Sequence, residues 1–157
     1  MNTSAISSLF DPNMILFNVE AKDYEDLLKK LSAQLIEKGY AKESFEDAVI
    51  EREKVYPTGL PTPGVMVALP HTKPEYVIKP AILVANLKEP VFFKEMGNGV
   101  NDIPAELVFV MAIDNPEQQV DVLKKLMDIF SNKEILTSLK SCTEVVEVID
   151  ILETQVF

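Results

Sequence analysis

The chain carries one histidine, one cysteine and no tryptophan in 157 residues. A lone cysteine, Cys142, excludes an internal disulfide and a cysteine-built zinc site. No stretch approaches the roughly 18–20 apolar residues that a helical membrane span requires. Residues 1–11 have no positive charge and no apolar run of signal-peptide length, so a soluble, cytoplasmic protein is expected. Positive charge is scarce throughout, with 15 Lys+Arg against 25 Asp+Glu and a formal net charge of −10. That balance argues against nucleic acid or an anionic membrane as the main partner, since both need a basic footprint. An acidic surface instead favours, weakly, docking to a partner with a basic patch.

What remains is an ordinary globular composition, 47% hydrophobic and 25% charged. The length suits one domain, spanning 1–157, with a proper core. The most informative stretch is Leu60-Pro61-Thr62-Pro63-Gly64-Val65-Met66-Val67-Ala68-Leu69-Pro70-His71-Thr72-Lys73-Pro74. Its apolar run, 65–69, reads as a buried strand bounded by turn residues. Pro70 ends that strand because it has no N–H for a ladder, which leaves His71 on a loop at the strand's end. Rigid elements commonly present reactive side chains there. A histidine in a surface loop with no role satisfies the same pattern.

Around this stretch, apolar spacing marks the other elements. Asp23 caps a helix whose face carries Tyr24, Leu27, Leu28, Leu31 and Leu35, with Gly39 placed to end it. Residues 14–17 form a short edge strand before it. Ser44 with Asp47 opens a second helix with Phe45, Ala48 and Val49 inward. The next position on that face is Arg52. A guanidinium facing inward is costly without an anion; it either snorkels out or pairs with a structural carboxylate, or it holds a bound phosphate. Thr58, in the turn-rich link that follows, has a hydroxyl suited either to a phosphate or to a turn backbone.

Beyond His71, strands are expected at 81–85, 91–93 and 107–113, with Lys88-Glu89-Pro90 as a hairpin turn between the first two. Residues 97–102 form a loop whose glycines lack the spacing of a phosphate-cradling motif. Asn115-Pro116, with Gln118 completing a capping-box pattern, opens a helix. Val120, Leu123, Leu126, Met127 and Phe130 form its expected buried face. Ser131 with Glu134, and Ser141 with Glu144, start two shorter helices. Two helices, then strands, then further helices give an α/β fold: one domain with a mixed β-sheet flanked by helices. Cys142 sits in a polar break far along the chain from His71 and is a poorly supported nucleophile.

Three blocks together resemble a known family. Gly59, Gly64 and Val67-Ala68-Leu69-Pro70-His71 are similar to the signature around the phosphorylated histidine of the fructose/mannitol-type enzyme IIA proteins of the bacterial sugar phosphotransferase system. Arg52-Glu53 with Pro57-Thr58-Gly59 resembles a second block, and Asn115-Pro116-Glu117-Gln118-Gln119 with Leu123 and Leu126 a third. The resemblance covers nearly the whole chain and implies a cytoplasmic phosphocarrier. In it His71 is the phosphorylated nucleophile and Arg52 stabilises the phosphate, with Thr58 and Gln119 as further candidate phosphate ligands. It implies no metal and no cofactor. It also implies phospho-HPr as donor, a cysteine of a cognate IIB protein as acceptor, and an indirect link to a membrane IIC protein. Relatives of the mannitol and fructose type carry a second histidine where this chain has Gln119, so a two-histidine mechanism is excluded here. The blocks are most similar to galactitol-specific members, which points to galactitol or a related sugar alcohol. The alternative is a nitrogen-type regulatory IIA protein that binds its targets in one phosphorylation state.

Overall fold

The computed structural model describes residues 8–156, so the polar start at 1–7 lies outside it. The strands are β1 (Ile15–Val19), β2 (Gly59–Leu60), β3 (Val67–Ala68), β4 (Ala81–Lys94) and β5 (Asp102–Ala112). They form one mixed sheet in the order β1-β4-β5-β3-β2. The pairs β1–β4 and β3–β5 are parallel, while β4–β5 and β2–β3 are antiparallel. The helices are α1 (Tyr24–Glu37), α2 (Phe45–Val55), α3 (Pro116–Phe130), α4 (Lys133–Ser141) and α5 (Val145–Ile151).

Strand periodicity divides the core in two. Leu107, Phe109 and Met111 of β5 point to one face, where Val122, Leu126 and Ile129 of α3 and Leu136 and Leu139 of α4 cover them. Val108, Val110 and Ala112 point to the other, against Leu27, Leu28 and Leu31 of α1 and Phe45 and Val49 of α2. The two helices between β1 and β2 thus cover one face, and those that follow β5 cover the other. Buried on both sides, residues 81–87 of β4 and 107–112 of β5 read as nearly continuous apolar runs rather than alternating ones.

Several sequence expectations hold at the level of single bonds. Asp23 caps α1 by accepting from the Asp26 N–H at 2.8 Å, and Asn115 caps α3 by accepting from Gln118 N–H at 3.0 Å. Others need correction. Lys88-Glu89-Pro90 is no hairpin turn: β4 continues through it as a bulge, five steps from Asn86 to Val91 opposing two from Leu107 to Ala105. A proline is tolerated at a bulge because the ladder is interrupted there. The reversal comes later, at the glycine-bearing residues 95–101, where the Glu95 N–H donates to Asn101 O at 2.8 Å. On α3, Val120 and Met127 are 51% and 40% exposed, and the buried positions are Val122, Leu126, Ile129 and Phe130. Apolar residues occupy two adjacent stripes of α3, and periodicity alone does not choose between them. The starts of α4 and α5 also shift. Asn132 rather than Ser131 caps α4, accepting from Ile135 N–H at 3.1 Å. Glu147 reaches back to the Glu144 N–H at 3.0 Å to open α5.

One contact locks the site-bearing edge to the rest of the sheet. β2 crosses close to the β4–β5 hairpin, and a Cβ at Gly59 would stand 2.7 Å from Lys94 O and 2.9 Å from Ile103 Cβ. Only glycine permits that approach. Gly59→Ala is therefore expected to cost about 1–3 kcal/mol in urea denaturation, as overpacking against backbone does; an unchanged midpoint would contradict this packing.

Candidate functional site

The carboxyl ends of β3 and β5 carry the site, the usual place for ligands on open α/β sheets. β3 pairs with β5 as far as Ala68↔Val108, and a single bridge, His71↔Met111, resumes the pairing beyond Pro70. Each backbone position around His71 is held by a different element. The Leu69 N–H donates to Thr58 Oγ1 at 3.2 Å, in the loop after α2. The Pro70 carbonyl accepts from Met111 N–H of β5 at 3.0 Å. The Thr72 carbonyl accepts from Gln119 Nε2 of α3 at 3.0 Å.

The imidazole is oriented in turn. His71 Nδ1 lies 2.8 Å from the Leu69 carbonyl oxygen. A carbonyl only accepts, so Nδ1 carries the hydrogen and the lone pair of the neutral ring resides on Nε2. Burial holds the His71 pKa below its ordinary 6.5; the Leu69 carbonyl opposes this, and the nearby Arg52 charge adds to it. At neutral pH the ring is an uncharged nucleophile.

Arg52 arrives from the last turn of α2, on the stripe that buries Phe45 and Val49. It is half-buried, with its guanidinium carbon 4.4 Å from the centroid of the Tyr56 ring. Among the described residues no carboxylate pairs with it. Its Nε is buried and lacks a hydrogen-bond partner. An unpaired buried donor is costly, and an anionic oxygen bound there would satisfy it. The structural-pairing alternative for Arg52 is thereby removed.

Thr58 and Gln119 both support the loop. Thr58 is 2% exposed, and its hydroxyl donates to Glu53 Oε1 at 2.8 Å. With that proton taken, the expected bond from Thr58 to a phosphate is corrected to one with a buried carboxylate. Gln119 fastens α3 to the residue after His71, which brings the N-terminal end of α3 beside the site. Cys142 is buried at the end of α4, its thiol directed to Ser138 O at 3.2 Å and pushed up in pKa by burial and by Glu147. A protonated, buried thiol is inert.

Sequence reasoning missed Glu53. It is 5% exposed, and its second oxygen accepts from the Thr58 N–H at 2.7 Å. Burial pushes its pKa from 4.5 to about 7, against the lowering effect of the two Thr58 hydrogen bonds. The signal was present: Phe45, Val49 and Ile50 put position 53 on the buried stripe of α2.

The family model of the phosphoenolpyruvate-dependent sugar phosphotransferase system, EIIA 2, matches residues 8–155. The chain belongs to this EIIA family. Among curated members, the galactitol-specific EIIA component of Escherichia coli (strain K12) is 25% identical over 122 residues, covering 78% of this chain and 81% of that one. The E. coli complex of enzyme IIAMTL with phosphorylated enzyme IIBMTL contains a chain that superposes at TM-score 0.75 with 25% identity, covering 91% of this chain and 96% of that one. The nitrogen regulatory protein IIA-Ntr of Neisseria meningitidis superposes at TM-score 0.76, also with 25% identity, covering 94% of this chain and 99% of that one. This EIIA chain thus has the mixed-sheet fold of sugar-transport and regulatory relatives alike. Among its described residues no helix is long and apolar enough to cross a membrane.

Two titrations check the electrostatics. The imidazole of the only histidine, followed by NMR, is expected to titrate below 6.5 and to rise in Arg52→Gln; a midpoint above 6.5 in the unsubstituted chain would contradict the burial described. For Glu53, the unfolded chain releases its proton near 4.5 and the folded chain holds it to about 7. The folded state therefore binds more protons across that window, and this group's contribution to stability falls as pH rises through it. Glu53→Gln should gain on wild type by up to roughly 3 kcal/mol between pH 5 and pH 8 in urea denaturation. A difference that does not vary with pH would overturn the assignment.

Proposed function

We propose that this EIIA chain is a cytoplasmic phosphocarrier for sugar uptake. In this reading His71 Nε2 accepts a phosphoryl group from phospho-HPr and passes it to a cysteine of a cognate IIB protein. The membrane IIC protein couples that transfer to entry of galactitol or a related sugar alcohol. The observation that carries the proposal is the pairing of an imidazole fixed with Nε2 as its lone-pair nitrogen and a neighbouring arginine whose buried Nε lacks a partner. The galactitol-specific relative supports the sugar class, and the complex of a structural relative with a phosphorylated IIB supports the acceptor.

The chemistry follows from those two groups. The Nε2 lone pair attacks phosphorus as the P–N bond to the donor imidazole breaks, and that electron pair returns to the donor ring. Arg52 stabilises the equatorial oxygens as charge spreads over them. The new phosphoimidazole keeps its Nδ1–H on the Leu69 carbonyl. A cysteine thiolate then attacks phosphorus from the partner side, and the P–Nε2 bond breaks to restore neutral His71. Gln119 takes no part in proton transfer, since an amide neither gains nor loses a proton in this range.

A regulatory role is favoured by the equal likeness to IIA-Ntr. Onward transfer separates the two readings, because a transport component must deliver phosphate to a IIB cysteine. Labelled phosphoenolpyruvate with enzyme I and HPr is expected to give acid-labile, alkali-stable label on wild type and none on His71→Ala. Arg52→Lys should slow uptake of label by roughly a hundredfold through loss of bidentate contact. No label on folded wild type would overturn the carrier reading, and label that no IIB discharges would favour regulation.

A further inference from the structure

A buried carboxyl lies beneath the candidate nucleophile, and the phosphotransfer chemistry has no use for it directly. Glu53 receives two hydrogen bonds from one residue, Thr58 N–H at 2.7 Å and the Thr58 hydroxyl at 2.8 Å. The hydroxyl oxygen then accepts from Leu69 N–H at 3.2 Å, and the Thr58 backbone carbonyl shares that hydrogen at 3.3 Å, so the hydroxyl sets its direction. On the far side of the same Cα, the Leu69 carbonyl accepts from His71 Nδ1 at 2.8 Å. The bonds run in one continuous series from the carboxyl to the imidazole. Where Leu69 sits decides where its carbonyl points, and that direction selects the ring orientation and the nitrogen left to react.

We propose that Glu53 is a positioning residue for the phosphoryl acceptor, holding Leu69 through Thr58 so that the His71 ring keeps Nδ1–H inward and Nε2 outward. The inference rests on His71 being the phosphorylated residue. Its action is geometric, because the N–H and the C=O of Leu69 belong to different peptide groups and share no conjugation. Charge on Glu53 matters through donor direction. An ionised carboxylate takes both Thr58 hydrogens, which leaves the hydroxyl oxygen as an acceptor for Leu69. A protonated Glu53 instead donates to that oxygen and displaces the hydroxyl hydrogen. The two protonation states therefore hold Leu69 differently, and burial brings their exchange to about 7. The titratable group facing Glu53 from α1 is Tyr24, whose phenol is raised first by its own burial and in smaller part by Glu53. Among the described residues no cation acts on the carboxyl; its opposing influences are desolvation and the Thr58 bonds.

The test uses the full chain, with the tautomer of its single histidine read by 15N NMR at pH 8. Phosphoryl uptake is followed from phosphoramidate, a small donor whose P–N bond breaks with loss of ammonia. Wild type should show Nδ1–H as the dominant tautomer and a second inflection near pH 7 in the uptake rate, above that of His71. Thr58→Val should mix the tautomers and slow uptake roughly ten- to hundredfold, as small misplacements of a reacting group do, and Thr58→Ser should restore both. Glu53→Gln, which keeps the shape and fills both bonding positions, should fold and lose the inflection near 7. If Thr58→Val and Glu53→Gln both retain the wild-type tautomer and pH profile while only their melting temperatures change, Glu53 is structural and the proposal fails. Failure of wild type to take up phosphate would instead remove the carrier reading; the tautomer measurement would still decide whether Glu53 positions the ring.

Discussion

The hydrogen bond from His71 Nδ1 to the Leu69 carbonyl, at 2.8 Å, is the constraint on which the site depends. It settles which nitrogen carries the lone pair, and so which side of the ring meets an incoming group. A bond to a backbone carbonyl is only as good as the placement of that backbone. The loop is accordingly held on every side: by the loop after α2 at Leu69, by β5 at Pro70 and by α3 at Thr72. Pro70 contributes by what it lacks. With no N–H of its own to satisfy, it lets the chain leave β3 while its carbonyl still joins the ladder.

The rest of the fold makes that placement rigid. Apolar residues pack both faces of β4 and β5, so the strand that anchors His71 through Met111 cannot shift without disturbing two cores. Against this packed background stand two unusual polar groups on α2. Arg52 has a buried Nε with no partner, and Glu53 is a carboxyl raised in pKa by burial. Adjacent positions on one helix turn thus carry opposite departures from a well-satisfied interior. Such departures concentrate where function requires them.

Much of this was legible in the sequence because it depends on local rules. The continuous apolar run before Pro70, the caps at Asp23 and Asn115, and the inward stripe leading to Arg52 each follow from spacing alone. The bulge in β4 was not legible, since Lys88-Glu89-Pro90 has turn chemistry and only its pairing with β5 reveals a continuing strand. The orientation of α3 was also hidden: apolar residues occupy two stripes, and the tie from Gln119 to Thr72 lies on the one that faces the sheet. The hydroxyl of Thr58 suits either a phosphate or a turn backbone by sequence. Its true partner, Glu53, lies five residues back on the buried stripe of α2, where a glutamate runs against what its polarity leads one to expect.

In the proposed carrier, phosphate resides on the nitrogen facing away from Leu69. The direct measurement is phosphorus–nitrogen coupling by NMR in the phosphorylated chain, with 15N in the imidazole of its single histidine. Coupling of phosphorus to Nε2, with Nδ1 still protonated, is the predicted result. Phosphorus bonded to Nδ1 would mean that the ring turns away from the Leu69 carbonyl before it reacts, and the account of the site given by its geometry would be wrong.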